Sequence, residues 1–136
     1  MRPLSALNHI VNASSFCLFG YLSTTVSFLP EWLSAVTGYP YTLDELLVTG
    51  ERIANMRQAF NVREGFNAVA TSIPDRAYGR PPLTEGPLAG VRVEIEAMAR
   101  DYLAAMEWDM DGAVPSQQKL ISLGLADIAA DLHQRD

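Results

Sequence analysis

Thr42-Leu43-Asp44-Glu45-Leu46-Leu47-Val48-Thr49-Gly50-Glu51-Arg52-Ile53-Ala54-Asn55-Met56-Arg57-Gln58-Ala59-Phe60-Asn61 is the stretch that decides the fold. Its first four residues predict a capping box, in which the Thr42 hydroxyl accepts from the amide of Glu45 and the Glu45 side chain returns to the amide of Thr42. Leu43, Leu46, Leu47, Gly50, Ile53, Ala54, Arg57 and Phe60 then recur at helical spacing along one face. A glycine inside a helix costs about 1 kcal/mol relative to alanine. Gly50 therefore predicts a close approach by another backbone or by a ligand.

Working outward, Leu4, Leu7, Ile10 and Val11 predict a helix over residues 4–19, ended by Gly20. A short helix is expected to start near Pro30, carry Trp32, Leu33 and Val36, and stop at Gly38. On the C-terminal side, Val91, Ile95, Met98, Ala99, Tyr102 and Met106 predict a helix over about 91–107. A turn at Asp111-Gly112 follows. Ser116 is placed to cap a short helix reaching Leu123, with Gly124 as its stop, and a last helix is expected from Leu125 to about Leu132. Residues 66–90 hold Pro74, Pro81, Pro82, Pro87, Gly79, Gly86 and Gly90, which is loop chemistry. Loops of that length are usually functional or wrap a partner surface. With no repeat and no alternating strand pattern, the expectation is one all-α domain over 1–136, an irregular multi-helix arrangement with a long Pro/Gly-rich loop.

Composition narrows the function. Of 136 residues, 49% are hydrophobic and the net charge is −6, which is a globular balance and not a disordered one. Lys119 is the single lysine and the arginines are scattered, so the clustered cations that nucleic acid requires are missing. Cys17 is the only cysteine, which rules out an internal disulfide and fits a cytoplasmic protein. Between Arg2 and Glu31 no residue is charged. Asn8, His9, Asn12, Ser14 and Ser15 interrupt this stretch, so neither a membrane span nor a secretory leader is expected. The better expectation is a segment buried on most sides, partly by something outside the chain.

Several residue groups have two readings. Among Phe16, Leu18 and Phe19, Cys17 by itself reads as a core thiol. His9 has no second ligand nearby and reads as structural. Glu107, Asp109, Asp111 and Gly112 imitate the first half of a calcium loop, but Gln118 stands at the twelfth position, so a helix-ending acidic turn is expected instead. Arg52, Arg57, Arg63 and Glu64 suit pairing across helices or contact with a cofactor phosphate. No nucleophile–base pair and no phosphate-binding glycine loop is present.

From Gly50-Glu51-Arg52-Ile53-Ala54-Asn55 through Phe60-Asn61-Val62-Arg63-Glu64-Gly65-Phe66, the chain resembles the aldehyde:ferredoxin oxidoreductases, whose C-terminal region carries a "GERI.N…R.FN.REGF" helix and turn. Val36-Thr37-Gly38 precedes it, and Ile73-Pro74-Asp75-Arg76 and Pro87-Leu88-Ala89-Gly90 follow in the family's order. Tyr102 and Glu107-Trp108-Asp109 stand where the family has "YY…GWD", and Leu120, Leu123, Gly124 and Leu125 match its closing "L..LGL".

The resemblance implies a helical C-terminal region set against a β domain that holds tungsten (or molybdenum) on two pterins, beside a [4Fe-4S] cluster. It implies oxidation of aldehydes to carboxylic acids, with ferredoxin as electron acceptor. Three cluster cysteines belong to an upstream CxxCxxxC run and the fourth closes a DxxGLC motif, here Asn12-Ala13-Ser14-Ser15-Phe16-Cys17. Cys17 thus matches the fourth metal ligand, while Asn12 and Phe16 match cofactor-contacting positions. Asn12 replaces the family Asp, Ser15 the Gly and Phe16 the Leu. A neutral amide accepts weaker hydrogen bonds than a carboxylate. The expected partners are the N-terminal cofactor-binding domains and ferredoxin, with self-association into a homo-oligomer. One thiolate does not hold a cube that takes four, so the isolated chain is expected to be apo and inactive. The alternative is a stand-alone, non-catalytic helical binding or scaffold module derived from that domain. Both readings predict exposed apolar surface around residues 10–29.

Overall fold

The structure, a computed structural model, describes residues 2–133. Among these the chain forms seven α-helices and no sheet. They are α1 (Arg2–Ala13), α2 (Leu18–Leu22), α3 (Phe28–Thr37), α4 (Leu43–Arg63), α5 (Ile95–Met106), α6 (Gln117–Ser122) and α7 (Ala126–His133), with a 3₁₀ turn at Asp75–Tyr78. The all-α expectation holds. No helix among the described residues is long and apolar enough to cross a membrane.

The capping box starts α4 as its sequence requires. Glu45 N donates to the Thr42 hydroxyl at 3.2 Å, and Thr42 N donates to the Glu45 carboxylate at 2.8 Å. Gly50 is where α1 crosses: a Cβ there would overlap the backbone oxygen of Ala6. The close approach is therefore made by a neighbouring backbone. It brings Ile10 and Val11 of α1 against Leu46 of α4 and Leu29 of α3, with Leu7, Phe16, Leu33 and Ile53 packed around them. A second apolar cluster, Leu120, Leu123, Leu125 and Ala129, joins α6 to α7.

Between these clusters α4 presents polar groups inward, a feature its apolar pattern did not predict. The buried Asn55 accepts from Trp108 Nε1 at 2.8 Å and donates to the Glu51 carbonyl at 2.9 Å. Gln58 Nε2 donates to the Ala113 carbonyl at 3.0 Å, and Arg52 Nε to the Leu123 carbonyl at 2.8 Å. Lys119 is buried, with its Nζ 3.2 Å from both Glu51 and Glu107. Among the described residues every buried side-chain nitrogen and oxygen thus has a partner, without which its desolvation would cost about 1–3 kcal/mol. The inward face consequently runs through Leu46, Gly50, Ala54, Asn55, Gln58 and Ala59, while Phe60, expected on it, is exposed.

Several boundaries differ from the sequence reading. The helix predicted over 4–19 stops at Ala13, and Gly20 lies inside α2 instead of ending a helix. The helix expected from Pro30 starts at Phe28, and that predicted over 91–107 spans Ile95–Met106. Gly38 ends α3 in the left-handed conformation, as predicted.

Replacing Gly50 with alanine tests the crossing. Helix propensity alone favours alanine by about 1 kcal/mol, but forcing a methyl into backbone contact should lower stability by about 2–3 kcal/mol. The urea midpoint should therefore fall, and an unchanged or raised midpoint contradicts the close approach.

Candidate cofactor-facing site

Where the sequence predicted continuous helix, residues 12–17 form a sharp corner. Ser15 takes a left-handed φ of 59°. Ser15 N donates to the Asn12 carbonyl at 3.3 Å and Phe16 N to the Val11 carbonyl at 3.2 Å. This pair of bonds is a Schellman motif, which normally places glycine at the left-handed position and an apolar residue after it. Phe16 supplies the apolar contact by packing on the cluster that holds Val11. Its ring also lies 5.6 Å from Trp32.

The corner releases Cys17 from the core. Its thiol is exposed and makes no capping hydrogen bond at the start of α2. The core-thiol reading of Cys17 is thereby corrected: the chain turns before the residue and carries it outward. Asn12, on the last turn of α1, is also exposed, and its side-chain amide makes no hydrogen bond to a described residue. Phe16 is half-buried. Beyond Cys17, Leu18, Phe19, Leu22, Val26 and Phe28 are exposed, Phe19 by 79% and Leu22 by 68%. The apolar surface expected around residues 10–29 is present.

The donor set permits a limited role in metal binding. No group of three or more His, Cys, Asp or Glu side chains that could hold a metal occurs among the described residues. An exposed thiol fits one corner of a cluster whose other ligands lie elsewhere, and four thiolates are required for the whole.

The other singled-out residues have local partners. His9 Nδ1 lies 3.2 Å from Arg57 Nη1, and its pKa is lowered by burial and then by the guanidinium charge. Arg63 pairs with Glu64 at 2.9 Å. The Asp109 carboxylate accepts from the amides of Gly112, Asp111 and Val114 at 2.6, 2.9 and 3.2 Å. Burial raises the Asp109 carboxyl, but these backbone donors outweigh it and hold the group below its ordinary value. The acidic turn thus closes on its own backbone.

Three further helix ends repeat the geometry of residues 11–16. Gly65 N and Phe66 N donate to Val62 and Asn61, Glu107 N and Trp108 N to Ala104 and Leu103, and Gly124 N and Leu125 N to Ile121 and Leu120. In each, the first donor has positive φ and the second is apolar. All three lie within stretches on which the resemblance to the oxidoreductases rests.

Comparison with known proteins gives the same answer. The family described as aldehyde ferredoxin oxidoreductase, domains 2 & 3, matches residues 2–125. The chain belongs to this family. It is 29% identical over 119 residues to the tungsten-containing aldehyde ferredoxin oxidoreductase of Pyrococcus horikoshii, covering 88% of this chain and 19% of that protein. It is 28% identical over 121 residues to the Pyrococcus furiosus protein of the same name, covering 89% of this chain and 20% of that protein. The corresponding protein of Thermococcus kodakarensis is 27% identical over 121 residues, again 89% of this chain and 20% of the relative. The chain therefore spans about a fifth of the length of the curated relatives it matches.

Ser15 holds the left-handed conformation, which costs an ordinary residue about 1–2 kcal/mol. Ser15→Gly should therefore stabilise the chain by about 0.5–1 kcal/mol after the added unfolded-state entropy of glycine. Thermal unfolding would register this as a raised midpoint, whereas a lowered midpoint would contradict the strain at this corner.

Proposed function

We propose that this chain is the C-terminal helical part of a tungsten or molybdenum pterin oxidoreductase that converts aldehydes to carboxylic acids and passes electrons through a [4Fe-4S] cluster to ferredoxin. The observation that carries this reading is the Cys17 thiol. It is exposed, uncapped and set beside an apolar surface that the chain's own helices leave uncovered. Family membership supports the assignment of that face to the cofactor-bearing part of the enzyme.

In this reading Cys17 supplies one thiolate to the cluster, and the Schellman corner fixes where its sulfur emerges. Asn12 offers an amide oxygen and two N–H donors to a pterin edge. Lacking a negative charge, it holds pterin N–H groups less tightly than aspartate. Phe16 anchors the corner from beneath. Leu18, Phe19 and Leu22 exclude water from the face once it is covered. The bound cofactors supply the redox chemistry, and these side chains position and shield them.

The chain should be coexpressed with the rest of its parent enzyme and the product assayed for iron, acid-labile sulfide and tungsten, beside a Cys17→Ala variant. The expected result is about four irons per chain in the unsubstituted protein and loss of the intact cluster signal in the variant. Full retention of the [4Fe-4S] signal in Cys17→Ala would remove the ligand assignment. A product without any cluster would remove the redox reading and favour a helical scaffold.

A further inference from the structure

The segment of residues 67–80 bridges α5 without collapsing onto it. At one end Asn67 Nδ2 donates to the Asp111 carbonyl at 3.0 Å, and Asn67 Oδ1 accepts from Val69 N and Ala70 N at 2.9 and 3.0 Å. At the other end Arg80 makes a two-pronged pair with Glu96 at 2.6 and 2.7 Å, and Val93 N donates to the Tyr78 carbonyl at 2.9 Å. The Arg80 pair holds the Glu96 carboxyl down at about 2. Pinned at both ends, the strap leaves a groove of about 710 Å³ beneath it. That volume lies within the range of about 300–1,000 Å³ usual for small-molecule sites.

The groove has a defined chemistry. Its wall is the edge-to-face pair of Tyr102 and Trp108, with ring centroids 5.8 Å apart, continued by Leu103 and Ala99. The polar atoms of both rings are engaged elsewhere. Trp108 Nε1 donates to Asn55 at 2.8 Å, and the Tyr102 hydroxyl meets the Ser5 hydroxyl at 2.9 Å. The rings therefore present carbon surface to the groove. At the rim, Glu96 is engaged by Arg80, and Asp75 and Glu94 also act on that guanidinium. Arg100, one turn along α5 from Glu96, lines the groove and acts on the Glu96 carboxylate through its charge, but makes no hydrogen bond to a described residue. Of the two arginines lining the groove, it is the one whose N–H donors are not spent on a carboxylate.

We propose that this groove binds a small monocarboxylate with an aryl or alkyl tail, the tail lying against Tyr102 and Trp108 and the carboxylate on Arg100. Such binding needs only this groove, whatever the redox role of the face around Cys17.

Trp108 lines the groove and acts as its own reporter. Trp32→Phe leaves Trp108 as the sole tryptophan of the two. Titration with 3-phenylpropionate should change its fluorescence saturably, and the neutral 3-phenylpropionamide should bind about tenfold more weakly, since a charge-assisted hydrogen bond is lost. Arg100→Gln should erase that difference while leaving amide binding intact. If Trp32→Phe loses its helical circular dichroism, backbone amide shifts in the unsubstituted chain give the same reading, with changes expected at Thr71, Ser72, Ala99 and Arg100. The proposal is overturned by no saturable response to either compound, by equal affinity for acid and amide, or by acid binding that is insensitive to Arg100→Gln.

Discussion

Everything in this fold is arranged around the point where α1 lies directly on α4. Backbone touches backbone there because position 50 has no side chain, and nothing larger than glycine fits against Ala6. The approach places the first apolar cluster on one side of α4. It also lets Glu51, one residue on, reach both Arg2 of α1 and the buried Lys119 of α6. A buried cation is tolerated only with paired carboxylates around it, and Glu51 and Glu107 supply them. The helix that marks the family is thus a structural hub. Its Glu51, Arg52, Asn55 and Gln58 hold other segments of the chain in place, and none of them lines the face around Cys17.

That division clarifies what a family motif records. The segments ending at Phe16, Phe66, Trp108 and Leu125 share one helix-terminating device, a left-handed residue followed by an apolar one that folds back on the helix. Glycine holds the left-handed position at Gly65 and Gly124. Ser15 and Glu107 hold it at the other two helix ends, with the same left-handed backbone. Glu107 has a compensating contact, its carboxylate 3.2 Å from Lys119. Ser15 has no side-chain hydrogen bond to a described residue, so nothing of that kind offsets the left-handed backbone at the corner beside Cys17.

Much of this was legible in the sequence, for physical reasons. The Thr42–Glu45 box, the Gly38 stop, the Ser116 cap and the Gly124 stop depend on contacts within a few residues, which a sequence displays directly. The break after Ala13 was hidden because serine stood where a helix stop usually reads as glycine. The polar inner face of α4 was hidden because Asn55 and Gln58 are buried by Trp108 and Ala113, partners more than fifty residues away. The candidate site was partly legible. Cys17 was found through the motif, but its exposure follows from the corner. The groove under the 67–80 strap left no local signal, since its walls come from a loop and a helix that are separate in sequence.

Together the hub and the Schellman corner deliver one thiol to an open face. The most direct measurement is the rate at which Cys17 reacts with a disulfide reagent in the folded chain, compared with the same chain in urea. One thiol per chain should react about as fast folded as unfolded. A folded-state rate slower by orders of magnitude, recovered only on unfolding, would bury the sulfur and contradict it.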